Sequence, residues 1–435
     1  MKLWQKENTS TSQLVEQFTV GRDKEFDLLL AKYDVQGSIA HITMLGEAGL
    51  MSKEEVEKAI EGLKKIATSI DLSHFTINEG VEDVHSQVEM LLTQMIGDAG
   101  KKIHSGRSRN DQVAVDIKLY LREEISNIKN EVKNLFDLLI LKSEKHKDKL
   151  IPGYTHLQIA MPSSAGLWLG AYAESLVDDL EITVAAYHVT NKNPLGSGAG
   201  YGSSFPLSRK RTTELLNFET LNWNSVYAQM TRGKAEKFTA VALSAIAATL
   251  SKLSMDCCLY MNQNFGFISF PHEFTTGSSI MPHKKNPDVF ELIRAKCNRI
   301  QSIPNEITLL INNLPSGYHR DLQLTKEILF PAIEELKACL QMMHLMISNM
   351  SVKDNILADE KYKYIFSVDA VNQLVIKGIP FREAYQQVGN DINNGVFSPP
   401  LFEEIERGLH EGSIGNLCNN EIKTEMEKVL AKFIA

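Results

Sequence analysis

Apolar residues along this chain recur at steps of three and four far more often than at steps of two, the periodicity of a helix with one buried face. The longest such stretch follows Asp111, where Ile117, Leu121, Ile125, Ile128, Val132, Leu135 and Leu139 succeed one another without proline or glycine between them. The pattern predicts a helix of about 35 residues, on the order of 50 Å long. Comparable patterns fill residues 165–190, 235–263, 288–314 and 324–351, the third with a kink expected at Pro304. Nearer the N-terminus, Ser52-Lys53-Glu54-Glu55 reads as a capping box, with Val56, Ala59, Ile60 and Leu63 at helical spacing behind it. No alternating run is long enough to predict a sheet.

Five long helices, each more apolar than one buried stripe requires, predict an all-α fold whose central bundle packs against helices of other subunits. A large monomeric bundle is the alternative. Three regions follow from the pattern: an N-terminal helical domain over residues 1–107, the long-helix bundle over 108–355, and a small C-terminal helical domain over 356–435. In the last, Gly378-Ile379-Pro380, Ser398-Pro399-Pro400 and Gly412 break the pattern into short pieces.

Composition narrows the function classes. The net charge of −8 provides no basic footprint for nucleic acid. Five cysteines without a CxxC pair argue for reduced thiols. The first ten residues, MKLWQKENTS, lack the apolar core of a signal peptide, and the apolar run Phe238 to Ser251 is shorter than the roughly 20 residues a bilayer needs. A cytoplasmic protein without a membrane partner is expected.

Four polar, turn-rich segments interrupt the helices: His104-Ser105-Gly106-Arg107-Ser108-Arg109-Asn110-Asp111, Pro152 to Gln158, Pro194 to Gly200, and the loop Thr275 to Asp288. Singly, each has a bland explanation. Asn110-Asp111 and Asn286-Pro287 suit helix starts, and the glycines of the third do not match a dinucleotide-binding spacing. Together they supply arginine, lysine, asparagine, serine and threonine donors for carboxylates, with a histidine able to transfer protons near neutral pH. The fourth has the build of a lid over an anionic substrate. No HExxH or comparable ligand cluster is present, and no metal is expected.

The run Gly277-Ser278-Ser279-Ile280-Met281-Pro282-His283-Lys284-Lys285-Asn286-Pro287 resembles the signature loop of the fumarase/aspartase superfamily. HSGRSRND, PGYTHLQ, PLGSGAG and Lys377-Gly378-Ile379-Pro380-Phe381-Arg382 resemble its argininosuccinate lyase family in particular, and the likeness runs from Lys2-Leu3-Trp4 to the C-terminal domain. The resemblance implies a homotetramer whose sites are shared between subunits, and a cofactor-independent elimination of argininosuccinate to arginine and fumarate.

It also implies roles. Ser278 is the base, its alkoxide stabilised by Lys284 and loop N–H groups; His156, paired with Glu291, is the general acid. Ser108, Asn110, Thr155, Lys284 and Asn286 meet the substrate carboxylates. Arg109 either joins them or holds the loop in an ion pair, and His85 is a site residue or a structural histidine. Tyr318, Gln323, Lys326 and Asp27 contact the arginine end.

Three departures stand out. His283 replaces the glutamine many members carry, Asp23 stands where others have serine, and the match is poor at Thr231-Arg232-Gly233-Lys234, where no ligand contact is assigned. Another fumarate-releasing lyase of the superfamily, such as an adenylosuccinate lyase, and a crystallin-like structural protein are the alternatives.

Overall fold

The computed structural model describes residues 13–400 and 410–433; Lys2-Leu3-Trp4 lies outside them. The longest helix is Arg109–Lys145, 37 residues, and all seven residues of its predicted stripe are buried. Ala165–Thr190, Lys234–Met261 and Leu324–Ser348 also follow the periodicity. The pattern over 288–314 resolves into two helices, Asp288–Ile300 and Ile303–Leu310. Pro304 has no N–H to continue a helical ladder, so it sits in the first turn of a new helix. At Ser52 the capping box forms in full, the hydroxyl accepting from the Glu55 N–H while the Glu55 carboxylate accepts from the Ser52 N–H.

Strands are few and short, as an all-α class requires, but one hairpin was not foreseen. Leu150–Thr155 pairs antiparallel with Gln158–Ser164, Thr155 opposite Gln158. The sequence hides it because Pro152 and Pro162, opposite one another, interrupt any clean alternation.

Contacts divide the chain into two compact units whose boundaries fall inside long helices. The first comprises the described residues up to Lys129, Ile182–Ala245 and Arg299–Leu336; the second comprises Asn130–Glu181, Ile246–Asn298 and the described residues from Lys337 on. The first holds a core in which Val35, Ile42 and Leu45 of helix Asp23–Glu47 pack with Leu63 of Lys53–Asp71 and Val88 of Val84–Ile96. In the second, Asp256 accepts hydrogen bonds from Trp168 Nε1 (3.0 Å) and Tyr172 Oη (2.6 Å), tying two bundle helices together. A smaller core, Val371, Ala384, Val388 and Phe397, lies nearer the C-terminus.

All five cysteines are free. The helix Lys234–Met261 contains an 18-residue stretch apolar enough to cross a membrane by length and composition, which the run Phe238 to Ser251 does not reach alone. Of that stretch 56 % is buried within the chain, the behaviour of a core helix.

Candidate active site

The first unit contains a cavity of about 250 Å³. Seven residues named from the sequence line it: Asp27, His85, Arg109, Asn110, Tyr318, Gln323 and Lys326. Lys326 is its electrostatic centre. Its ammonium is buried between Asp23 Oδ1 at 2.7 Å and Asp27 Oδ1 at 2.5 Å. Burial alone would favour the neutral amine, but the two carboxylates outweigh it and hold Lys326 above the ordinary lysine range. Burial, then the neighbouring Asp27, pushes Asp23 up to about 6.

His85 forms the floor with two buried acids. Its Nδ1 lies 2.8 Å from Asp34 Oδ1 and 3.5 Å from Asp116 Oδ2. Burial opposes the imidazolium, yet Asp34 overcomes it and raises the His85 pKa. Burial and the charge of Asp34 push Asp116 well above the usual carboxylate range. Asp34, His85 and Asp116 are close enough to be read as metal ligands. The charges of His85 and Arg107 hold Asp34 below the usual carboxylate range against its burial, and that of Arg107 acts on Asp116 as well.

Arg109 forms the structural ion pair that the sequence left open, with Asp83 Oδ2 at 3.0 Å and Glu82 Oε2 at 3.4 Å, while its Nη2 donates to Ser86 Oγ. Asp83 in turn caps helix Val84–Ile96 by accepting from the Ser86 N–H. Ser108 stands at the start of the long helix, its N–H donating to Asp111 Oδ1 at 2.8 Å. The other Asp111 oxygen accepts from the N–H groups of Gly196 and Gly198, each at 2.9 Å, so one buried carboxylate binds the first polar segment to the third. Gly198 requires its residue type, since its φ is +60° and a Cβ would meet the Gly202 carbonyl at 2.9 Å. Gln323 donates to the carbonyls of Thr19 (3.1 Å) and Val20 (3.4 Å).

Sequence reasoning left Glu82, Asp83, Arg232 and Arg320 out of the site, and all four line the cavity. Asp83 was legible as the cap of the Val84-His85-Ser86 turn. Arg232 lies in the weakest-matching segment, so only tertiary structure could find it.

The second unit carries the residues expected to do the chemistry. Thr155 ends the first strand of the hairpin, and His156-Leu157 form its two-residue turn with φ of +54° and +59°. Such a turn favours Asn-Gly, so a histidine and a leucine here hold strained backbone at an exposed tip. The loop is also a hairpin, Thr276 opposite Asn286 and Gly277 opposite Lys285. At its mouth Ser278 Oγ accepts from the N–H groups of Met281 (3.1 Å) and Ile280 (3.3 Å). Two dipoles thus point at an oxygen that must carry negative charge to act as a base.

Asn286 Nδ2 approaches Thr276 Oγ1 at 3.5 Å, and Thr276 donates to Asp288. Lys284 and His283 are exposed in the loop, and Glu291 is exposed in the first turns of helix Asp288–Ile300. Among the described residues no hydrogen bond joins His156 to Glu291. The chain therefore places Asp27, His85, Ser108, Arg109, Asn110, Tyr318, Gln323 and Lys326 in the first unit, and Thr155, His156, Ser278, Lys284, Asn286 and Glu291 in the second.

A model of the family described as Lyase matches residues 6–302. An argininosuccinate lyase of Bacteroides thetaiotaomicron is 58 % identical over 432 residues, covering 99 % of this chain and 96 % of that protein. This chain belongs to the argininosuccinate lyase family. A more distant argininosuccinate lyase, from Ruthia magnifica, is 41 % identical over 98 % of the chain and 87 % of its own length. Among solved structures, EDDS lyase in complex with formate superposes with a TM-score of 0.74 at 22 % identity, covering 98 % of this chain and 91 % of that one. At that identity the match establishes the fold which the argininosuccinate lyase family shares with it.

Proposed function

We infer that this chain splits argininosuccinate into arginine and fumarate. The observation that carries the reading is near-full-length similarity, at 58 % identity, to a relative named for that reaction, in a chain whose cavity is lined by arginine, lysine and acidic side chains. Ser278 removes a proton from the carbon beside a succinyl carboxylate. The charge moves onto that carboxylate as an aci-carboxylate, which Lys284, Asn286, Thr155, Ser108 and Asn110 stabilise by donating to it. The C–N bond then breaks, and His156, oriented by Glu291, delivers a proton to the guanidino nitrogen. Asp27, His85, Tyr318, Gln323 and Lys326 hold the substrate, and Arg109 keeps their wall in place. Every step is a proton transfer or an elimination that side chains can perform, so the reading calls for no metal or organic cofactor.

The two sets of groups meet when copies of the chain assemble as a homotetramer, residues 108–355 forming the shared bundle and 1–107 and 356–435 its flanking domains. Apolar side chains left exposed on bundle helices, among them Phe238, Val241, Met342 and Leu345, support that assembly. A cytoplasmic location fits free cysteines and bacterial relatives of this type. The test is fumarate release, read by ultraviolet absorbance, with argininosuccinate, adenylosuccinate, aspartate and malate offered in parallel. Fumarate from argininosuccinate alone is expected; fumarate from another of the four instead would overturn the substrate assignment.

A further inference from the structure

Of the four polar segments, Pro194 to Gly200 is the one that supplies no group to the elimination. Apart from Ala199 its residues are buried, so its backbone groups need partners within the protein. Those partners are charged side chains on either side of it. The N–H groups of Gly196 and Gly198 go to an anion, Asp111 Oδ2, each at 2.9 Å. The carbonyl of Leu195 goes to a cation, accepting from Arg209 Nε at 3.1 Å.

The rest of the Arg209 guanidinium holds the chain beyond the segment. Its Nη2 donates to the Asn222 carbonyl at 2.6 Å and its Nη1 to the Trp223 carbonyl at 3.1 Å. Glycine at position 196 lets the arginine lie there, since a Cβ would meet Arg209 Cγ at 2.8 Å. Lys118, on the same long helix as Asp111, donates to the Lys192 carbonyl at 2.9 Å and to Asn222 Oδ1 at 2.6 Å. The residues flanking the segment are thus tied to the helix that carries Asp111.

From Asp111 the contacts continue to the substrate cavity. Its Oδ1 accepts from the Ser108 N–H at 2.8 Å, and the Ser108 hydroxyl accepts from the Asn110 N–H at 3.3 Å. Asn110 lines the cavity. Donors aimed at a developing charge work only when they are fixed beforehand, and a misplacement of about 1 Å can cost about 100-fold in rate.

We propose that Arg209 and Asp111 are positioning residues, which clamp the glycine segment between them into a base that holds Ser108 and Asn110 in place for the succinyl carboxylate. This rests on the argininosuccinate lyase reading and adds to it a task for the third motif.

The experiment uses the whole assembled enzyme and its two products as inhibitors: fumarate, which reports the succinyl end, and arginine, which reports the other. A wild type that releases no fumarate from argininosuccinate sinks the functional reading itself; with an active wild type, the variants decide this proposal. Arg209→Lys keeps the charge, but one nitrogen cannot serve three carbonyls. It is expected to raise Ki for fumarate and lower kcat, each about 10- to 100-fold, and to leave Ki for arginine unmoved. Asp111→Asn should show the same selectivity, because its amide must turn an N–H toward either Ser108 or the two glycines. Adding Asn110→Ala to Arg209→Lys should cost less than Asn110→Ala costs alone, since both act through one chain of contacts.

Arg211→Gln is the control. It removes the ion pairs of the same short helix with Glu47 and Glu214 without touching the segment, and should leave both Ki values unmoved. Where Arg209→Lys does not fold, Gly196→Ala, which presses a methyl group on Arg209, makes the same comparison. Equal increases in Ki for fumarate and arginine, no increase in either, or an Arg211→Gln effect equal to that of Arg209→Lys would overturn the proposal.

Discussion

Lys326 offers the sharpest test of the electrostatics, because Lys326→Met keeps the length and volume of the side chain and removes only the ammonium. At 2.5 and 2.7 Å from two carboxylates, each attraction is about 6 kcal/mol at an effective dielectric of 20. Much of that is cancelled by the cost of burying the ammonium, and breaking such a buried pair typically loses about 3–5 kcal/mol, because the acids are left without a cation. The variant has one escape, which is to take up a proton.

Asp23 is already raised to about 6 with Lys326 beside it, and Lys326 is one of the groups lowering it. Removing the ammonium must push it higher. A carboxyl whose folded pKa exceeds its unfolded value binds more protons folded than unfolded, so stability falls as pH rises between the two values. In the wild type that window closes near pH 6. In Lys326→Met it extends to higher pH, adding a slope of up to about 1.4 kcal/mol per pH unit there.

Urea unfolding followed by circular dichroism at pH 6.5 and 8 reads this directly, with KM for argininosuccinate measured alongside. The variant should be less stable than wild type at both values and lose further ground at pH 8. Adding Asp23→Asn should restore part of the loss by removing one stranded charge. The reasoning is refuted if the variant matches wild type at both pH values, or if Asp23→Asn in that background brings no recovery.

Three other outcomes are expected. Ser278→Ala should lower kcat by about 10²–10⁴-fold while calorimetry finds substrate affinity nearly unchanged; near-normal turnover would remove Ser278 as the base. Leu157→Gly should raise the free energy of unfolding read from urea titration by up to about 1 kcal/mol, since it relaxes a left-handed turn position and exposes little that was buried; Leu157→Ala, which keeps the strain, should not. Lys326→Met and Ser278→Ala chains, each impaired alone, should recover fumarate release when unfolded together and refolded as a mixture if sites are shared between copies, and neither should recover it when refolded by itself.

Much of the architecture was legible because helical periodicity is a local property. The stripe from Ile117 to Leu139 specifies its own buried face within every turn, and the capping box at Ser52 needs only four consecutive residues. The hairpin around His156 was not legible, because proline on both strands erases the alternation that would announce it and because its turn carries His-Leu where Gly would be looked for. The motif loops could be recognised as chemically unusual, but nothing in their spacing says which face which.

By itself, then, the sequence determined the helices, their approximate limits, the fold class and the kinship of the motif-bearing loops. Only tertiary structure decided that Lys326 would meet Asp27 across 299 positions of chain, that Asp111 would fasten the first polar segment to the glycines of the third, and that Arg232 would line the same cavity as Asp23. The physical reason is range. A helix is written in hydrogen bonds and burial repeated every few residues, whereas a binding cavity is formed where distant segments pack, and its charges acquire their pairing and pKa values from neighbours that the local sequence does not contain.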